Sequence, residues 1–385
     1  MTKVGIDKIS FYVPEQYLAL DTLAGRHGID PGKFSRGIGQ NKIAMPGHDE
    51  DVVTLAAEAA ANILDDDDKA AIDTVLLATE SGIDQSKAAA VYVHRLLDLP
   101  SKCRAVEMKH ACYAGTAALQ LACGHVTRRP DRKVLVIASD ISRYDLDSAA
   151  EATQGCGAVA MLVSVNPRLL AIDPVSGCHS EDIMDFWRPN YRKTPLVDGK
   201  YSTIKYLNAA ARSWEDYAEN GGRAFNDLAQ FCYHLPFTRM GAKAHKHLSN
   251  LNHAQNDTNL IEPGMVYNRE VGNCYAASLY LSLVSMLENV DQDLAGRAVG
   301  LFSYGSGAVA EFFSAEIQPG YGERMVRDKH QTLLSERVGL SYEDYLTLWH
   351  APDPQDGSAV TLPEGARGRF RLARIDEHKR HYEAA

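Results

Sequence analysis

The chain repeats itself, and that repeat constrains the fold more than any other feature. Ala111-Cys112-Tyr113-Ala114 opens a small-residue stretch (GTAALQLACGHV), an apolar run (VLVIASD) follows, and Gly155-Cys156-Gly157-Ala158-Val159-Ala160 closes the unit. Later, Asn273-Cys274-Tyr275-Ala276 opens ASLYLSLVSML, VGLFSYG follows, and Gly305-Ser306-Gly307-Ala308-Val309-Ala310 closes it. The order is the same, and GxGAVA recurs 150 positions on, from 155 to 305. Recurrence of a whole unit marks an internal duplication. Two copies of one α/β unit, related by an approximate two-fold axis, are therefore expected, with a first half over 1–165 and a second over 166–385.

Local patterns fit that expectation. TVLLAT (74–79), VLVIA (134–138) and VGLFS (299–303) are short apolar runs of buried-strand type alternating with helical stretches, the mark of parallel strands covered on both faces. Asp51 to Leu64 reads as a helix, with Leu55, Ala59 and Ile63 on one face. The four aspartates 65–68 read as a solvated turn, and His245 and His247 as exposed. Residues 173–222, rich in aromatics and turn formers, read as an insertion between the copies. Ala351 to Ala366 reads as loop, Arg369 to Ile375 as a returning strand, and the charged end beyond it as solvated.

At 385 residues and 45% hydrophobic the chain can bury a large core. Its net charge of −10 argues against nucleic-acid or anionic-membrane binding. The start shows no signal peptide, and no run approaches a membrane span. Seven cysteines, an odd number without a CxxC pair, argue against disulfides and a zinc site and for a cytoplasmic protein with free thiols. Neither GxG continues to the third glycine of a dinucleotide site.

Cys112 stands out among the thiols. It precedes a small-residue helix, whose amides and dipole would favour a thiolate, and its neighbours are small enough for a carbonyl to approach. Cys103, Cys123, Cys178 and Cys232 read as ordinary apolar residues. A thioester-forming cysteine needs an acid/base partner and donors for an oxyanion. Glu80 ends a buried strand and is a base if that site is dry, or a solvated strand end if it is not. The same offset carries Glu80 to the neighbourhood of His234, so pseudo-symmetry would gather Cys112 and Glu80 of one half with His234 and Asn273 of the other. The paired glycines either admit a substrate to backbone amides or permit close packing. Arg239 and Lys243, four apart, share a helix face.

ATESGIDQSKAAAVYVH, EMKHACYAGTAALQLA, CYHLPFTRMGAKA, VGNCYAASLYLSL and GLFSYGSGAVAEFFSA, in that order, resemble the signature segments of the bacterial-type 3-hydroxy-3-methylglutaryl-CoA synthase family. FYVP, GIGQNKIA and DFWRP fit as well. The resemblance implies a thiolase-like, layered αβαβα fold. It implies Cys112 as the nucleophile that acetyl-CoA acetylates, Glu80 as the general acid/base, and His234 as the residue positioning acetoacetyl-CoA. Asn273 and Ser306 match residues around the acyl groups, and Tyr144, Asp185 and Phe186 match further substrate-site positions. Arg239, where lysine is common, and Lys243 match a basic stretch that contacts coenzyme A. A homodimer and a place in the mevalonate pathway are implied, and no metal or redox cofactor. The competing expectation is a relative that takes its β-ketoacyl group from an acyl-carrier protein in polyketide β-branching.

Overall fold

The computed structural model describes residues 2–351, 354–365 and 367–384. Its centre is a nine-stranded sheet. In chain order the strands are β1 (Val4–Tyr12), β2 (Ile72–Ala78), β3 (Arg104–Met108), β4 (Lys133–Ser142), β5 (Gly155–Val165), β6 (Leu170–Ser180), β7 (Leu228–Tyr233), β8 (Ala298–Gly305) and β9 (Val309–Ile317). Across the sheet they lie β7-β8-β9-β6-β1-β5-β4-β2-β3. The two halves meet at β1 and β6 through two residue pairs, Gly5 with Ala171 and Ile6 with Leu170.

Each half follows one plan. In the first, β2 and β4 run parallel, β5 turns back against β4, and β1 lies beyond it. In the second, β7 and β8 run parallel, β9 turns back against β8, and β6 lies beyond it. Among the described residues the second half has no strand matching β3: the helix Glu262–Val271 stands before Asn273 instead. Every residue of β2 and β8 is buried, as strands covered on both faces require.

Two helices, Ala114–Arg128 and Ser278–Asn289, occupy the middle layer. Eleven of the twelve residues of the second are buried, which places it inside the protein and not on its surface. Thr116 of the first helix bonds both Tyr280 of the second and Ser303 of β8, each at 2.8 Å. The outer layers are Val52–Ala61, packed on β5, β4 and β1, and Gly199–Glu219, packed on β6 and β9. Asp51 and Thr54 close a reciprocal capping box that starts the former helix. The result is the layered, duplicated α/β architecture that the repeat implied.

Several local expectations change. The aspartates 65–68 are not a solvated turn: Asp65 caps the helix Asp66–Ala71, and Asp68 is buried with Lys8 and Lys133 each 2.6 Å from its carboxylate. Of the supposed insertion 173–222, residues 173–180 finish β6 and 199–219 form the outer helix, so the additional material is 181–198. The charged C-terminal end forms the strand Lys379–Ala384, paired with Phe370–Asp376 in a separate small sheet. There the buried Tyr382 hydroxyl donates to Asp51 at 2.5 Å. His245 is buried against Phe225 and Phe231. The Ala351–Ala366 stretch is mostly loop with a short strand at Val360–Thr361; residues 352, 353 and 366 lie outside the described residues.

Candidate active site

The carboxyl ends of β2 and β4 and the start of the helix Ala114–Arg128 converge on Cys112. Its thiol donates to Glu80 Oε1 at 3.2 Å. Burial, and after it the Glu80 charge, pushes the Cys112 thiol well above its ordinary range. This reverses the expectation that the helix dipole would yield a thiolate: desolvation beside a carboxylate outweighs it. Burial first and the Asp140 charge second push the Glu80 carboxyl up to about 8. Below about pH 8 the pair therefore keeps both its protons, one on each group.

Asp140 is the residue the sequence reading missed. It is fully buried near the end of β4, and one carboxylate oxygen accepts from Thr79 Oγ1 (2.8 Å), the Glu80 amide (2.8 Å), the Ser81 amide (3.0 Å) and Ser81 Oγ (2.9 Å). The other accepts the Ala276 amide of the second half at 3.0 Å. A single carboxylate thus fixes the loop carrying Glu80 against the opposite half. Its signal was present: an aspartate ending the apolar run VLVIASD, just as Glu80 ends TVLLATE.

The second half supplies the other walls. His234 follows β7 as Glu80 follows β2, so the two stand at matching places in the two halves. Its backbone is held by Phe302 O, accepting at 2.8 Å, and by the Tyr206 hydroxyl, donating to His234 O at 2.6 Å. Its Nδ1 is buried without a hydrogen-bond partner, and burial lowers its pKa to about 3, so the imidazole is neutral. Asn273 Oδ1 accepts from the Tyr275 amide and Ser278 Oγ, each at 2.9 Å, which leaves its amide NH₂ as the group it can offer. Tyr144, Phe186 and Tyr275 form an aromatic wall, with ring centroids 6.3 and 5.8 Å apart.

Asp185 is buried and already engaged. It accepts from the Tyr304 hydroxyl (2.7 Å), the Gly307 amide (2.9 Å) and Ser202 Oγ (3.1 Å), and so shapes the turn that carries Ser306. That turn lies on the Cys112 turn: a Cβ on Gly305 would stand 2.7 Å from both His110 O and the Tyr113 amide. Gly155 meets the Asn273 turn of the other half in the same way, 2.6 Å from Val271 O. Of the two roles open to the paired glycines, close packing is the one that the surroundings of Gly155 and Gly305 demand. Arg239 and Lys243 are not drawn into this cluster; they are exposed at the start of the helix Met240–Leu251, with Arg239 against Arg36 O and Lys243 over the Phe237 ring.

A polar cleft of about 370 Å³ lies at the opposite, amino-terminal end of the parallel strands, lined by Asp7, Asp68, Lys133 and Arg168. Its charges answer one another, Arg168 with Asp7 and Lys133 with Asp68. His27, Asp147 and Glu151 also gather, but each ring nitrogen faces a different carboxylate, Asp147 at 3.8 Å and Glu151 at 3.7 Å. Among the described residues no helix is long and apolar enough to cross a membrane.

Comparison with known proteins agrees with this arrangement. Residues 1–168 match the hydroxymethylglutaryl-coenzyme A synthase N-terminal family, and residues 170–263 and 253–347 its C-terminal family. The chain is 47% identical over 349 residues to the hydroxymethylglutaryl-CoA synthase of Enterococcus faecalis, covering 90% of this chain and 91% of that one. It is 33% identical over 375 residues to a polyketide biosynthesis 3-hydroxy-3-methylglutaryl-ACP synthase of Bacillus subtilis, covering 91% and 88%. A crystal structure of an HMG-CoA synthase complexed with CoA superposes over the full length of both chains, with a TM-score of 0.95 and 42% identity. Fold and sequence agree: the chain belongs to the hydroxymethylglutaryl-coenzyme A synthase family.

Proposed function

We propose that this chain condenses acetyl-CoA with acetoacetyl-CoA, giving 3-hydroxy-3-methylglutaryl-CoA and free CoA as a step of the mevalonate pathway. The observation that carries the reading is the 3.2 Å contact of Cys112 and Glu80, half-buried at the carboxyl ends of the central strands. Cys112 sulfur attacks the acetyl carbonyl, its proton leaves with the CoA thiolate, and an acetyl thioester remains on the enzyme. Glu80, as carboxylate, then takes a proton from the acetyl methyl group, and the carbanion attacks the acceptor ketone. The new alkoxide is protonated, water cleaves the Cys112 thioester, and the thiol is restored. His234, kept neutral, is assigned to the acceptor's carbonyl oxygen, and Asn273 offers its NH₂ beside it. Ser306, Tyr144 and Phe186 wall the acyl groups, Asp185 holds the Ser306 turn, and Arg239 with Lys243 meets the CoA phosphates. Written this way, the reaction calls on no metal or redox group.

We place the protein in the cytoplasm, in keeping with its seven free cysteines. We further propose a homodimer through the sheet edge. β3 is an edge strand whose Val106 is 46% exposed, and Leu121 on the adjoining helix is 59% exposed, an apolar edge suited to a second copy.

The test is acetyl-CoA-dependent consumption of acetoacetyl-CoA with mass identification of the product, beside Cys112→Ala and Glu80→Ala. Hydroxymethylglutaryl-CoA formed by the wild type and by neither variant supports the reading. An enzyme that is acetylated yet consumes only a carrier-protein-bound β-ketoacyl group overturns it in favour of β-branching.

A further inference from the structure

Ala111, immediately before Cys112, has φ +42°. Side chains of L-residues disfavour this left-handed region, and a non-glycine residue stays there only when its surroundings over-determine it. Within its own half the turn has ordinary contacts, such as Tyr113 N to His110 O at 3.1 Å. The decisive contacts come from the second half. Glu311, on β9, accepts the Tyr113 hydroxyl on Oε2 and Gln120 Nε2 on Oε1, each at 2.7 Å. Ser303, its cross-strand neighbour in register, accepts Thr116 Oγ1 at 2.8 Å. Three side chains from the turn and first turns of the nucleophile's helix are therefore gripped by two paired residues on β8 and β9 of the opposite half.

Glu311 is 2% exposed in a strand otherwise rich in apolar side chains, VAEFFSAEI. A buried carboxylate costs more than a well-packed apolar residue, so the fold alone gives little reason for one there. One of its oxygens is spent on Tyr113, beside Cys112, and the other on Gln120, farther along the same helix. The second half's turn is braced by a different carboxylate: Tyr275, at φ +41°, is held by Asp140 of β4 through the Ala276 amide.

We propose that Glu311 is a positioning residue for the nucleophile, holding Tyr113 across the interface of the halves and so fixing the strained turn that presents Cys112 sulfur to the acyl donor. The inference rests on the reading of Cys112 as the acetylated residue.

The experiment follows acetylation of Cys112 in the full-length protein by rapid quench and intact mass, over a range of acetyl-CoA concentrations, for wild type, Tyr113→Phe, Glu311→Gln and Glu311→Leu. Small displacements of a reacting group are costly. Tyr113→Phe and Glu311→Leu are therefore expected to lower the maximal acetylation rate roughly 10-fold or more, with half-saturation within about twofold of wild type. Glu311→Gln, which keeps an acceptor for Tyr113, restores most of the rate. Wild-type rates in Tyr113→Phe, or a change confined to half-saturation, overturn the proposal. Should Glu311→Leu fail to fold, Tyr113→Phe decides alone, since it removes one hydroxyl. A wild type that is never acetylated at Cys112, yet makes the product, sinks the underlying reading and this inference with it.

Discussion

Replacing Glu80 with glutamine should make Cys112 more reactive toward an alkylating agent while making the enzyme far slower. At 3.2 Å and an effective dielectric of about 20, a full charge on Glu80 opposes a thiolate on Cys112 by about 5 kcal/mol, equivalent to about 4 pH units. The pair loses its protons in two steps that belong to both groups. The first falls at about 8 and is chiefly that of Glu80. The second must create a thiolate beside a carboxylate and carries the repulsion. Glutamine removes that repulsion but leaves burial and the Asp140 charge, both of which still hold the thiol up. Part of the 4 units therefore returns, and a descent of at least about one unit is expected.

The assay is the second-order rate of iodoacetamide alkylation at Cys112 between about pH 7 and 10, read by intact mass without substrate. At the alkaline end Glu80→Gln should react at least about 10-fold faster than wild type, since only the thiolate is the nucleophile. Condensation, which needs the base, should fall by about 10²–10⁴. Slower alkylation of Glu80→Gln at every pH would refute the reasoning, because Glu80 would then be drawing the proton from the resting thiol.

Asp140→Asn removes the charge that is the second cause of the raised Glu80 pKa, so the acidic limb of the kcat/KM profile should move to lower pH by roughly one unit. It also sets an amide NH₂ against either the Ala276 amide or the Glu80 loop, so kcat should drop even at the new optimum. Gly305→Ala puts a methyl 2.7 Å from His110 O and the Tyr113 amide, and overpacking of about 1–3 kcal/mol should appear as a lowered Tm together with slower acetylation. Tyr382→Phe removes a buried 2.5 Å hydrogen bond to Asp51, and a denaturant titration should show a loss of about 1–3 kcal/mol with the activity per folded molecule unchanged.

What the sequence disclosed was whatever a local pattern or the repeat could carry. The capped helix at Asp51, the three apolar strands, Cys112 before its helix and Glu80 after its strand were all legible, because each depends on neighbours within a few residues. What it withheld depends on partners far along the chain. Asp68 looks solvated until Lys8 and Lys133 arrive from two other strands. The terminal segment looks like a frayed tail until Tyr382 and Arg380 find Asp51 more than three hundred residues earlier. Cys112 misled for the same reason: the helix dipole is local, whereas the burial and the carboxylates that override it are tertiary.

The repeat itself shows how a duplicated frame acquires one active site. Matching letters align Cys112 with Cys274, an offset of 162, but the backbone aligns the two left-handed residues, Ala111 and Tyr275, an offset of 164 (275 minus 111). Each stands three residues before its central helix, at Ala114 and Ser278. The structural counterpart of Cys112 is thus Ala276, and the Cys-Tyr-Ala coincidence is two residues out of register. Both turns keep the strain and a carboxylate brace from the opposite half, Glu311 on one and Asp140 on the other. They differ in what the brace reaches. Glu311 grips a side chain and leaves the cysteine free to react, whereas Asp140 grips the Ala276 amide and spends its charge raising the pKa of Glu80. One turn is thereby braced where Cys112 sits and the other where Asp140 fixes the Glu80 loop, so the proposed site draws on both halves.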